Sequence, residues 1–341
     1  MYCEWKRSFC NIRLTIYKKT TNVNRMKKIT TRVKQILNRF YLYKIIAFHI
    51  HKKSVEKNPI AEINRYYVSK FGHRADLTNP RSLIEKIYWM QLHCDTSLWT
   101  TCADKYRVRE YIENKGLKEY LPKLYGMWEE PKQINPNMLP KSFVLKANNG
   151  CATVLIVKDK DKIDWNSQKK EMRQWISIPF GYSGYEPHYL KIKPCIIAEE
   201  LLVQNKELDA ISPESMVDFK LWCFNGNVES CFVAYNRKNG SITTDLYDKN
   251  WRRISEKLKD YDGFHTPGKS PIPKPICWDE MVSIASKLSK GFPELRVDFY
   301  VVDDKPVIGE LTLSSGYGYF TEDYYNELGD LVDVTLMNKV R

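Results

Sequence analysis

LRVDFYVVDDKPVIGELTLSSG, the run from Leu295 to Gly316, contains two segments of alternating polarity, Leu295 to Val302 and Pro306 to Leu313, around the turn-forming Asp303, Asp304 and Lys305. Both are rich in β-branched and aromatic residues, which is the signature of a β-hairpin. A three-residue loop would pair Val302 with Pro306 and set Asp298 directly opposite Glu310. That register gathers Arg296, Asp298, Tyr300, Glu310 and Thr312 on one face and Val297, Phe299, Val301, Leu311 and Leu313 on the other. A two-residue loop is expected to slip the pairing by one and mix acids with core residues, because side chains alternate with period two. Opposed like charges on neighbouring strands repel. Three arrangements relieve them: a divalent cation with oxygen ligands, neutralisation of both acids by Arg296, or a solvated face.

The 341 residues, 43% hydrophobic and 28% charged, suit a soluble globular chain of two or three domains with a sizeable core. The net charge of +13 suggests nucleic acid, but its distribution argues against that partner. Residues 1–57 hold 15 Lys/Arg and 2 Asp/Glu, and the remaining residues carry 39 of each sign. Within the basic segment, Val33, Ile36, Leu37, Phe40, Tyr41, Ile45 and Phe48 recur at helical spacing with basic residues among them. Two readings stand: an interfacial helix making peripheral contact with anionic lipid on the cytoplasmic face of the inner membrane, or a helix packed on its own domain with a solvated basic face. No apolar run approaches the roughly 20 residues of a spanning helix. Nine dispersed cysteines, without a C-x-x-C pair or zinc spacing, fit the reduced thiols of a cytoplasmic protein.

After Lys57 the pattern turns helical. Ser82 is a cap ahead of a helix from about 82 to 93, and Ala103-Asp104-Lys105-Tyr106 opens another that ends at Gly116. The strand Ser142 to Ala147 carries a single Lys146 and leads into Asn148-Asn149-Gly150-Cys151-Ala152 and the strand Thr153 to Val157. So little side-chain bulk lets backbone N–H groups approach a phosphate, although Asn-Gly between strands is also an ordinary hairpin turn. Pro194 to Leu202 is a buried-looking strand holding Glu199 and Glu200. Val217 to Phe224 joins Val228 to Tyr235 through Asn225-Gly226, a second hairpin with Asp218 and Lys220 on one face, and Glu280 to Lys290 is an amphipathic helix. In the stretch 160–193, Tyr182, Tyr185, His188 and Tyr189 suit either sugar binding or a structural aromatic loop.

Taken in order, DKY (Asp104 to Tyr106), FVLKANNG (Phe143 to Gly150), IIAEELL (Ile196 to Leu202), DFKLWCFNG (Asp218 to Gly226), RVDFY (Arg296 to Tyr300) and GELT (Gly309 to Thr312) resemble the ATP-grasp superfamily, in particular its TupA-like branch of teichuronopeptide and surface-polysaccharide biosynthesis. The resemblance covers about residues 60 to 335. It implies an α+β fold with two subdomains gripping ATP, behind a helical N-terminal extension. The corresponding division is 1–57 (basic extension), 58–135 (mainly helical), 136–203 (central, with the small-residue loop) and 204–335 (with the metal-binding hairpin).

The resemblance also implies roles. Lys105 and Lys146 hold ATP phosphates with the loop residues Asn149 and Gly150, and Glu199, Glu200 and Leu202 form the hinge beside adenine and ribose. Lys220 faces the terminal phosphates, and Arg296 lies near the phosphate that is transferred. Asp298, Glu310 and Thr312 bind Mg2+. Thr312 stands where many members have Asn, which puts a second Mg2+ in doubt, and the loop has one glycine where the family often has more. The implied activity is ligation of an amine to a sugar carboxylate through an acyl phosphate. A glycosyltransferase is the alternative, but it lacks a D-x-D in a strand-to-loop setting and leaves the motif order unexplained.

Overall fold

The computed structural model describes residues 45–238, 240–259, 264–314 and 316–340. Most of the amphipathic segment Ile29 to Ile50 lies outside them. Its described end is the start of helix α1 (45–57), in which Val55 is buried, Phe48 meets Tyr182 edge-on at 5.5 Å, and Glu56 accepts a 2.9 Å hydrogen bond from the Tyr182 hydroxyl. Within the segment Phe48 thus packs on its own chain, while Ile46 and Ile50 stay exposed. Among the described residues no helix is long and apolar enough to cross a membrane.

Helix α2 (Pro59–Phe71) starts on an Asn58 cap and stops at left-handed Gly72, and α3 (Leu83–His93) starts on a Ser82–Glu85 capping box. The helix expected to open at Ala103 begins instead at Val108, as α5 (Val108–Asn114), and a separate helix, α4 (Ser97–Ala103), ends where it was expected to start. Between them the Asp104 carboxylate accepts from the backbone N–H groups of Tyr106 and Arg107 at 2.9 and 3.2 Å. This side-chain turn competes with the helical ladder and leaves Lys105 at a corner instead of a helix start.

Strands β1 (Leu124–Trp128), β2 (Phe143–Ala147), β3 (Val154–Val157) and β4 (Ile196–Glu199) form an antiparallel sheet in the order β1-β4-β2-β3. Helices α6 (Trp165–Ser177) and α7 (Pro187–Leu190) fall between β3 and β4, and Met172 of α6 is buried in one core with Phe143, Leu145 and Ile196. Since β1 pairs with β4, this sheet draws on residues before 135.

Helix α8 (Lys206–Ile211) leads to β5 (Asp218–Phe224), β6 (Asn227–Lys238), β7 (Ser241–Asp248) and β8 (His265–Pro267). Helix α9 (Trp278–Ser289), β9 (Leu295–Val302), β10 (Lys305–Thr312) and α10 (Glu322–Asp330) complete the chain. The second sheet runs β10-β9-β5-β6-β7-β8, antiparallel except for β7 and β8. The apolar stripe Met281, Ile284, Ala285 and Leu288 of α9 is buried in the same core as Phe219 and Phe299. That core also takes Ile63, Ile84 and Ile87 from α2 and α3 and Leu328 from α10, so the helical region before β1 shares its interior with the C-terminal sheet.

The deciding hairpin places Asp298 opposite Glu310 by a different route from the one expected. Its turn has two residues, with Val302 paired to Lys305 and positive φ at both Asp303 (49°) and Asp304 (60°). This is the twist that suits a tight hairpin. The predicted one-residue slip exists at the tip, where Ile308 faces Phe299, and a bulge at Gly309 cancels it before Glu310. Burial records the change of parity, since Pro306 and Ile308 are buried before the bulge and Leu311 and Leu313 after it. A Cβ on Gly309 would lie 2.9 Å from the Tyr300 ring, so the bulge needs a residue without one.

Candidate active site

The first group of charges lies where the helical corner meets the four-stranded sheet. On β2, Val144, Leu145 and Ala147 are buried while Lys146 stays partly open, and its Nζ donates to Glu199 Oε2 at 2.6 Å. Arg109 Nη1 donates to Glu199 Oε1 at 2.9 Å, and its Nη2 donates to the Pro122 carbonyl at 2.7 Å. Glu199, 5% exposed, is therefore clamped by two cations. Lys105 Nζ donates to the Gly150 carbonyl at 3.0 Å and to Glu310 Oε1 at 2.9 Å, tying the small-residue turn to the hairpin.

Asn148 fixes that corner. Its amide donates to Asp104 Oδ1 and to the Lys193 carbonyl at 2.9 and 3.0 Å, and its carbonyl oxygen accepts from the Cys195 N–H at 2.7 Å. Lys105, Arg109, Lys146, Glu199, Gly309 and Glu310 line one cleft.

The second group sits on the six-stranded sheet and follows from register: Lys220 of β5 faces Asp298 of β9, and Trp222 faces Arg296. Lys220 Nζ lies 2.6 Å from both Asp298 Oδ2 and Asp218 Oδ2. Arg296 donates to the two Asp298 oxygens at 2.6 and 2.8 Å and to Thr312 Oγ1 at 3.0 Å, with its guanidinium 5.4 Å from the Trp222 ring centroid. Of the two acids Arg296 thus hydrogen-bonds to Asp298, and Glu310 is bonded by Lys105.

Burial opposes every charge in this cluster, but the partners outweigh it for most. Arg296 and Lys220 hold the Asp298 carboxyl below its ordinary value, and Lys105 does the same for Glu310. Asp218 and Asp298 keep the Lys220 ammonium above its own. For Asp218 burial wins over Lys220, its carboxyl is raised, and its Oδ1 is buried without a hydrogen bond. Both hairpin acids are therefore ionised at neutral pH.

Of the residues expected at the site, Lys105, Lys146, Gly150, Glu199 and Glu310 meet at the first group, and Lys220, Arg296, Asp298 and Thr312 at the second. Asn149 is buried in the turn. Glu200 follows β4 with its side chain exposed, and Leu202 lies farther along the link toward α8. Arg109 and Asp218 were not assigned roles from sequence. Arg109 sits among other charges of a short helix, whereas the alternation of β5 does put Asp218 on the Lys220 face.

The profile described as TupA-like ATPgrasp matches residues 85–333, nearly three quarters of the chain. The chain belongs to the TupA-like ATP-grasp family. Among solved structures, D-alanine–D-alanine ligase from Bacillus anthracis aligns at 16% identity over 72% of this chain and 72% of its own, with a TM-score of 0.43. L-amino acid ligase from Bacillus licheniformis aligns at 14% identity over 65% and 43%, with a TM-score of 0.38. A further similarity is to the ATP-grasp ligase PsnB complexed with a phosphomimetic variant of its minimal precursor, Mg and ADP, at 13% identity over 67% and 58%, TM-score 0.37. No curated protein matches. As a TupA-like ATP-grasp protein the chain is an ATP-dependent ligase with an α+β ATP-grasp fold.

Proposed function

We propose that this TupA-like protein is a carboxylate–amine ligase that uses ATP to convert a carboxylate to an acyl phosphate, which an amine then attacks to give an amide. The substrate pair we infer is a uronic acid of a surface polysaccharide or its precursor and an amino acid or other amine. One observation carries the reading: Asp298 and Glu310 face each other in register while Lys105, Lys220 and Arg296 bond to them.

The donor set fits magnesium, which takes one or two carboxylates and draws its other ligands from water and phosphate. Asp298 and Glu310 would hold it, with Thr312 beside them. When bound, the ion would offset charge on the phosphate oxygens. Lys105 and Lys146 would hold the nucleotide phosphates, and Lys220 and Arg296 would face the group in transfer. Phosphoryl transfer asks mainly for such neutralisation and alignment.

Incubation with ATP, magnesium and a panel of uronates and amino acids should yield ADP and an amide, and chelation should stop both. Absence of both products across the panel counts against the ligase assignment. Replacing Glu310→Gln should abolish ADP release, by on the order of 100-fold or more; unchanged release refutes its metal role. Protection against unfolding by ATP, and not by a UDP-sugar, separates this reading from glycosyl transfer.

A further inference from the structure

Ser314 lies two residues past the end of β10 at Thr312, in the bend that follows the strand. Ser314 is buried, and its hydroxyl donates to Glu186 Oε1 at 2.5 Å. His188 Nε2 lies 3.4 Å from the same hydroxyl oxygen. With its one proton on Glu186, Ser314 accepts from His188 Nε2–H, which leaves Nδ1 as the bare nitrogen of the ring. His188 is 0% exposed and, among the described residues, its Nδ1 has no hydrogen-bond partner. Glu186 is only partly buried, and among the described residues its Oε2 takes no hydrogen bond.

The segment that carries this pair is fixed from several sides. Glu186 N–H donates to the Gly181 carbonyl at 2.7 Å, Gly184 N–H to Glu62 Oε1 at 3.0 Å, and the Tyr182 hydroxyl to Glu56. The groups that bear electrostatically on Glu186 come from four places: Glu310 on β10, Tyr88 on α3, Tyr317 beyond the hairpin, and Tyr189 on α7 beside His188. No cation is among them. Burial raises the Glu186 carboxyl to about 7, Glu310 adds to the rise and Ser314 resists it. Burial pushes His188 down to about 3, so its ring is neutral at neutral pH.

We propose that the Glu186 carboxylate, held by the Ser314 hydroxyl that His188 in turn contacts, binds the amine substrate and accepts its proton. The proposal rests on the carboxylate–amine ligase reading and specifies where its second substrate docks. One N–H bond of the incoming ammonium breaks as the Glu186 Oε2–H bond forms, which frees the nitrogen lone pair. That pair makes the C–N bond at the acyl carbon, the C–O bond to phosphate breaks with its electron pair on the departing phosphate, and the phosphate takes the second N–H proton, leaving a neutral amide and hydrogen phosphate. Neutral tyrosines around the carboxylate leave it as the group that attracts a substrate ammonium.

The test separates the two halves of the reaction, using the uronate and amino acid found active above with ATP and magnesium. Hydroxylamine in place of the amino acid traps the acyl phosphate as a hydroxamate and, being neutral near pH 7, needs no base to free its lone pair. Glu186→Gln should keep hydroxamate formation within about threefold and lower amide formation about 100-fold or more. In the unaltered protein, amide formation should rise as pH increases through about 7, and hydroxamate formation should lack that limb. Ser314→Ala should move the limb to higher pH, because the hydroxyl holds the carboxylate ionised.

Amide formation by Glu186→Gln at the unaltered rate overturns the proposal, and so does a parallel loss of hydroxamate and amide, which would place Glu186 in the first half-reaction or in the fold. Failure of the unaltered protein to form hydroxamate with any uronate is a different result, visible before any variant is compared, and it removes the ligase reading itself.

Discussion

Glu294 precedes the hairpin, is 0% exposed, and among the described residues neither of its carboxylate oxygens has a hydrogen-bond partner. Burial raises its carboxyl to about 8, against the pull of Arg296 and the Trp222 indole. A carboxyl raised in the folded state favours folding while protonated in both states. That advantage fades as pH rises above the unfolded value and is gone once pH passes the folded value. Glu294→Gln should therefore leave stability unchanged near pH 4 and add on the order of 3 kcal/mol near pH 7, read as a gain in melting temperature that grows between those pH values. An equal shift at both would mean that packing, not ionisation, sets the effect. At this scale the sequence exposed Lys146, Lys220, Arg296, Asp298 and Glu310, because each is a charge inside an otherwise apolar strand. Glu186 and Arg109 gave no such contrast, one lying in a loop of aromatics and the other in a helix already rich in charge.

Among the elements, the β9–β10 hairpin was recognisable from period and composition, and its acid pair was matched correctly for a reason that the structure replaces. The cue to the true path was present: Ile308 is apolar on the parity of the acids, and the apolar series resumes on the other parity at Leu311. Gly309 between them is where the phase changes. Gly309→Val should crowd Tyr300, cost about 1–3 kcal/mol, and reduce ADP release more than the loss of stability explains, since Glu310 would leave its place opposite Asp298. Melting and turnover indistinguishable from the unaltered protein would show that the bulge is not needed. The break between α4 and α5 was beyond reach of periodicity, because a side-chain hydrogen bond from Asp104 creates it.

For the whole molecule, charge and core divide differently. The excess of basic residues lies in 1–57, while the residues from 58 onward balance. Vesicles containing anionic lipid should retain the full chain at low salt and release it as salt rises, and a chain lacking 1–57 should not be retained; equal retention of the two would discount the lipid reading. Composition showed this asymmetry, but not that the helices before β1 share one interior with the six-stranded sheet. That union depends on contacts far apart in sequence, such as Ile63 and Ile87 in the core that holds Leu328.

The ion pairs of the site also constrain how it fills. Lys105, Lys146, Lys220 and Arg296 each already hold a carboxylate. An incoming polyphosphate alone would strand Asp298 and Glu310 as bare anions, and a divalent ion alone would strand the lysines as bare cations. At the proposed site, the two arriving together would exchange partners, phosphate with lysine and metal with carboxylate. Occupancy should accordingly behave as a single cooperative swap, with nucleotide and magnesium each binding weakly until the other is present.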